Sequence, residues 1–291
     1  MFYRRLVGGS VLAAAVLATI AGAWAFDETK YPDLKGRWRR GPNAITQGVL
    51  PGRGNVFDPT KGWGPAQQPP LTPEYQARFE ANLADQEAGG QGIGLTYTCA
   101  SPGMPRVTNG YGATELVVTP QTTHILIENI HDSRRIFTDG REWPTEIIGT
   151  LNGYSIGRWI DTDGDGRYDV LEVETRGFSG PRAYDASGIP LHDDNQTVVK
   201  ERMYLDNNDP NLLRDDITVI DHALTHPWSV VKTYRRDPDP RPVWPESVCG
   251  ENNPHIQIGN EAYMLSGDGY LMPTKKGQQP PDLKYFNTSG K

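Results

Sequence analysis

The chain has 291 residues, with 36 acidic side chains against 29 basic ones and a net charge of −7. An acidic chain without a basic run is poorly suited to bind nucleic acid or an anionic membrane surface, so neither is expected as a partner. The length suits one large domain or two small ones.

Residues 1–25 read as a secretory signal peptide. Arg4 and Arg5 supply a positive start, residues 6–21 are apolar or small, and Ala23 and Ala25 are the small residues that precede cleavage. The apolar run is short for a membrane span, so none is expected once the signal is removed. The mature chain would have 266 residues and a net charge of −9. An exported protein meets an oxidising compartment, where a lone pair of cysteines, Cys99 and Cys249, is most simply a disulfide. Two free thiols, or one reactive cysteine, are the alternatives.

Residues 26–70 are rich in Gly, Pro and Gln without a sustained period, as in Pro51-Gly52-Arg53-Gly54, and read as an irregular N-terminal arm. Trp38, Phe57 and Trp63 suit packing of parts of that arm onto a core. The main domain is expected over 71–236. It opens with a helix: Thr72 as cap, Pro73 at the first helical position, Glu74 at the positive end of the dipole. Tyr75, Phe79 and Leu83 then recur every four residues, and Gly89-Gly90 ends the run.

Strand signals follow at 115–119, 124–128, 134–138, 154–160, 170–175, 198–205, 216–220 and 228–234. Turn residues such as Asp139-Gly140, Asn152-Gly153, Asp165-Gly166 and Asn207-Asn208 separate them. No helical segment lies between successive strands, which predicts a meandering antiparallel sheet closed into a barrel, with a β-sandwich as the alternative. Residues 237–291 are Pro-rich and are expected to wrap the barrel, tied to it through Cys249.

The densest motif is the twelve-residue loop 161–172. Oxygen ligands fall at Asp161, Asp163, Asp165, Asp169 and Glu172, the Arg167 carbonyl takes the seventh position, and Gly166 takes the sixth. That is the ligand spacing of an EF-hand, in which a hard cation gathers six to eight oxygens. The flanks read as strands, not helices, so the expectation is a hairpin loop stabilised by Ca2+ in a structural role.

In 198–205 the side chains alternate, with Val199, Met203 and Leu205 on the apolar face. Glu201 falls on that same face and would point into the barrel. An unpaired charge there is costly, so Glu201 must be paired, protonated or wet, which makes it a candidate acid–base or ligand-anchoring group. Arg135 and Arg141 are candidate partners and ligand contacts. His192, just before that strand, is a second candidate catalytic residue, since a barrel mouth gathers strand ends. His131 lies in a hairpin connection. His222 and His226 have metal-like spacing, but Pro227 follows at once, so they read as a loop. The Gly-x-Ser-x-Gly pattern around Ser155 lies inside a strand, where the nucleophile elbow cannot form.

Several segments, taken in order, resemble a family of uncharacterised secreted bacterial proteins with a lipocalin-like β-barrel. They are Leu71-Thr72-Pro73-Glu74-Tyr75, Cys99 with Pro102-Gly103-Met104-Pro105-Arg106, the run from Arg134 to Arg141, Gly153 with Ser155-Ile156-Gly157 and Trp159, Glu201-Arg202, Pro227-Trp228, and Cys249 with Glu251-Asn252-Asn253. The resemblance implies the barrel and export, and no activity. The acidic loop stands as an insertion against the family pattern, and Trp143 stands where that pattern has a histidine.

Together these features point to an exported barrel that binds a small, mostly apolar or amphipathic molecule, with Glu201, Arg135, Arg141 and His192 as polar contacts. The second expectation is a cofactor-free acid–base lyase or isomerase in which Glu201 moves a proton. The third is a structural or interaction module of the cell envelope.

Overall fold

A computed structural model describes residues 26–40, 56–93, 96–110, 112–128, 132–244, 248–251, 253–259, 261–279 and 281. The signal-peptide reading of residues 1–25, the Pro51–Gly54 run and His131 lie outside the described residues.

Nine strands close into one barrel, in sequence order around its wall. They are β1 (Arg37–Arg40), β2 (Thr114–Val118), β3 (Thr122–Ile127), β4 (Asp132–Phe137), β5 (Tyr154–Ile160), β6 (Val170–Arg176), β7 (Val198–Asp206), β8 (Asp209–Ile220) and β9 (Trp228–Arg236). Antiparallel pairing of β1 with β9, Trp38 opposite Arg236, closes the ring. The barrel is therefore of the lipocalin-like kind, though its strands are mixed.

Three expectations are corrected. First, β4 and β5 run parallel, with Ile136 opposite Ser155 and Phe137 opposite Ile156. The connection over 138–153 does not fold back as a hairpin; it returns to the starting end of the barrel, as parallel neighbours require. Second, the N-terminal arm is not wholly irregular. It supplies β1, in which Trp38 is fully buried and Arg37 is covered through ion pairs to Glu128 at 3.1 Å and Asp237 at 3.7 Å. Three arginines in Arg-Trp-Arg-Arg mask the strand signal. Third, the C-terminal segment is more than a wrap. It folds a three-stranded antiparallel sheet from β10 (His255–Ile258), β11 (Glu261–Leu265) and β12 (Leu271–Pro273).

The expected helix is α1 (Pro73–Glu87), with Tyr75 and Phe79 buried and Pro73 in its first turn. Thr72 has the extended backbone of a cap, but its side chain makes no capping bond. Instead the helix entry is tied to the segment after β8. Thr72 N–H donates to the Ala223 carbonyl at 2.8 Å, and Thr225 N–H to the Pro70 carbonyl at 2.8 Å.

Strand alternation builds the core. Along β9, Trp228, Val230, Lys232 and Tyr234 point inward while Ser229, Val231 and Arg235 face out. Phe57, Met104 and Tyr184, from the connecting segments, are fully buried with Trp38, Leu171 and Ile217 in the same core. Cys99 and Cys249 form the expected disulfide, with Cα atoms 5.5 Å apart and a sequence separation of 150. It fastens the segment carrying β10–β12 to the chain ahead of β2. Among the described residues no helix is long and apolar enough to cross a membrane.

Candidate functional site

Period-two alternation on four strands delivers four charged side chains to the barrel interior: Arg134 from β4, Glu201 from β7, Asp215 from β8 and Lys232 from β9. Each is 3 % exposed or less. Two of them satisfy each other. The Arg134 guanidinium donates through Nη1 to Glu201 Oε1 at 2.8 Å and through Nη2 to Oε2 at 2.5 Å. A two-armed charge-assisted pair of this kind is among the strongest hydrogen-bonded contacts side chains make.

Lys232 anchors a plug. Its ammonium donates to the Phe57 carbonyl at 2.9 Å and to Asn109 Oδ1. Asn109 Nδ2 in turn donates to the Tyr184 carbonyl at 2.8 Å, and Tyr234 Oη donates to the Thr108 carbonyl at 3.0 Å. The segments around residues 57 and 107 are thus held in the barrel end by its own polar residues. Burial, with the Arg40 charge adding to it, pulls Lys232 down to about 7.

Asp215 is different. Its Oδ1 is buried and has no hydrogen-bond partner among the described residues, as is also true of Arg134 Nε. Burial first, and then the neighbouring Glu201 charge, push the Asp215 carboxyl well above the ordinary carboxylate range. Asp215, Arg134 and Tyr234 line one side of a cavity of about 30 Å³ whose other walls include Leu116, Ile125 and Met203. That is room for about two water-sized groups.

β4 and β5 share only two paired positions, and beside them lies a cleft of about 390 Å³ lined by Arg134, Arg135, Asn152 and Ser155, among others. Arg134 borders both this outer cleft and the inner cavity.

The structure distributes the expected site residues as follows. Glu201 points inward, as its strand period predicts, but its partner is Arg134 rather than Arg135 or Arg141. Arg135 is exposed, one residue out of phase with the inward positions. Arg141 is exposed, bonds Asp139 at 2.7 Å and lies 3.8 Å over the Phe137 ring. His192 sits in the connection ahead of β7. It contacts Tyr75, Asp194 and His222 rather than Glu201. Asp215 and Lys232 escaped the sequence reading. Lys232 shares the inward period of Trp228, Val230 and Tyr234, so its signal was present; Asp215 lay outside the expected strand boundary.

The acidic loop joins β5 to β6 as a hairpin, with Ile160 opposite Val170. Carboxylate oxygens of Asp161, Asp163 and Asp169 lie within 4.8 Å of one another. Asp161 accepts the N–H groups of Gly166 at 2.9 Å and Gly164 at 2.7 Å; these bonds, that of Gly166 foremost, hold its carboxyl below the usual range. Asp165 accepts the Arg167 N–H at 2.8 Å. Glu172 turns away to the outer sheet face, where Arg158 pairs with it at 2.9 Å and Arg202 at 3.8 Å. The triad of Asp161, Asp163 and Asp169 is therefore the part of the loop that can gather a hard cation, and Glu172 is engaged elsewhere.

Fold and interior together define a closed, lipocalin-like barrel with a buried polar cluster among its inward side chains. No family model matches the chain, and no curated protein sequence does either.

Proposed function

We propose that this is an exported binding protein whose barrel interior takes one small polar ligand, or the polar end of a larger one. The observation that carries the reading is the unpartnered Oδ1 of Asp215, buried against a cavity of about 30 Å³ beside Arg134 and Tyr234. A buried polar atom without a partner costs about 1–3 kcal/mol, and a ligand that hydrogen-bonds it recovers that cost. Burial favours the neutral form of the Asp215 carboxyl, and Arg134 Nε offers a donor. The ligand is thus a compact molecule or group with both donor and acceptor atoms. This departs from the small, mostly apolar or amphipathic ligand expected from the sequence, because four charged side chains face the lumen. The signal-like residues 1–25 and the Cys99–Cys249 disulfide support export, and the Asp161–Asp163–Asp169 triad supports Ca2+ as a structural ion.

A second reading, acid–base chemistry in the same cavity, is favoured by the raised Asp215, which lines it. In that reading Asp215, not the Arg134-bound Glu201, moves the proton.

The test is mass spectrometry of protein taken from its native compartment, in wild-type and Asp215→Asn forms. Binding predicts one small polar compound per chain in the wild type, released by the substitution with an unchanged circular dichroism spectrum. Recovery of the wild type with water alone overturns the proposal. Incorporation of deuterium into the bound compound in D2O selects the acid–base reading over simple binding.

A further inference from the structure

The connections leading into β7 and out of β8 bring His192, Asp194 and His222 together outside the barrel. The two imidazole rings are 5.6 Å apart, edge to face. Asp194 stands between them, with Oδ1 3.0 Å from His192 Nδ1 and Oδ2 2.6 Å from His222 Nδ1. One donor atom from each residue falls within 4.8 Å of the other two. A zinc ion with ligands at about 2.0–2.2 Å needs donors slightly over 3 Å apart, so little movement separates this arrangement from a coordination sphere.

His192 Nδ1 and Asp194 are in contact twice. The Asp194 N–H donates to His192 Nδ1 at 3.1 Å, and the Asp194 carboxylate lies 3.0 Å from the same nitrogen. Asp194 thus holds the His192 ring beside its own carboxylate.

The arrangement is held from behind. Asp221, nearly buried, accepts the His192 N–H and the Ala223 N–H through Oδ1, both at 2.9 Å, and so clamps the two connections together. Its Oδ2 accepts Thr197 Oγ1 at 2.6 Å, and Thr197 Oγ1 accepts Arg182 Nη2 at 2.9 Å. The Tyr75 ring from α1 lies 5.1 Å from the His192 ring. These contacts fix the backbone of both connections and one face of the His192 ring.

We propose that His192, Asp194 and His222 bind a borderline divalent cation, Zn2+ or an ion of its kind. Two imidazoles and one carboxylate select Zn2+, Cu2+ or Ni2+ over the oxygen-seeking Ca2+ and Mg2+. The site is separate in place and chemistry from the acidic loop. Three protein ligands leave at least one coordination position to solvent, the pattern of a reactive rather than a purely structural zinc site. Exposed His222 leaves the entry path open.

The test uses untagged, metal-stripped protein titrated with Co2+ and then with Zn2+. One equivalent of Co2+ should bind with visible d–d absorption and be displaced by Zn2+. His222→Ala and Asp194→Ala should each weaken binding by about tenfold or more, while His226→Ala leaves it unchanged. His222 is exposed, so its variant retains the fold, which circular dichroism checks. Absence of Co2+ uptake, or equal affinity in His222→Ala, overturns the site.

Discussion

Arg134 and Glu201 meet inside the barrel from strands that are not neighbours in its wall, since β5 and β6 stand between β4 and β7. Their ion pair therefore ties opposite parts of the sheet through the lumen. Removing one partner of a buried pair leaves an uncompensated charge and costs about 3–5 kcal/mol. Glu201→Ala should lower Tm by roughly 10 °C, at 2–4 °C per kcal/mol for a chain of this size. The double substitution Arg134→Met, Glu201→Leu should recover most of the loss, because two apolar side chains of similar volume avoid both desolvation costs. Thermal unfolding of the wild type and both variants checks this, and a single mutant as stable as the wild type would contradict it.

Asp215 predicts the opposite sign. Its unpartnered Oδ1 is a cost in the folded chain, so Asp215→Leu should raise stability by about 1–3 kcal/mol. The same change should abolish ligand retention, the trade-off expected where a strained polar group serves a site. Urea unfolding at equal m-value measures the first effect, and the mass-spectrometric assay measures the second.

Lys232 gives stability a dependence on alkaline pH. Its value is about 10.5 when unfolded and about 7 when buried. Between these values the unfolded chain binds the proton and the folded chain does not, so stability rises with pH across that window and is flat below it. Lys232→Met should flatten the rise. Denaturant midpoints from pH 6 to 10 in both proteins decide the matter. A slope that survives the substitution would assign the effect to another group.

The barrel was legible because burial imposes alternation, and β5 keeps its expected boundaries while most other strands shift by one or two residues. β8 begins at Asp209, well ahead of the expected 216, because Asp209, Asn211 and Arg214 dilute the apolar signal of Leu212 and Leu213. The same blind spot concealed Asp215. β1 was missed because Arg37 is neutralised by Glu128 and Asp237, residues far away in sequence. The inward position of Glu201 could be read from its own strand; the identity of its partner could not, since that depends on how two distant strands face each other. Alternation with Ile136 would have favoured Arg134 over Arg135. The joining of His192 with His222, rather than with His226, is likewise a matter of which connections share one end of the barrel.

The disulfide should carry substantial stability, since it closes a loop with a sequence separation of 150. The chain-entropy model gives about 5 kcal/mol as an upper figure for such a loop. Cys99→Ser with Cys249→Ser should therefore lower Tm by several degrees and increase hydrogen exchange in β10–β12 before the barrel strands, because the bridge fastens that sheet. Exchange that rises uniformly through the barrel would instead show that the bridge supports the whole fold.

Ca2+ dependence should trace to the acidic triad and not to the full twelve-residue pattern. Asp161, Asp163 and Asp169 converge, whereas Glu172 is held by Arg158 and Arg202 on the outer face. Binding at ten times the dissociation constant stabilises a fold by about 1.4 kcal/mol. Chelation should thus lower Tm by a few degrees, Asp163→Asn should abolish the response to added Ca2+, and Glu172→Gln should leave it intact. A response lost with Glu172→Gln would mean that the carboxylate leaves its arginine partners to complete the coordination sphere. No response in the wild type would reduce the loop to a hairpin whose carboxylates serve only its own N–H groups, as Asp161 serves those of Gly164 and Gly166.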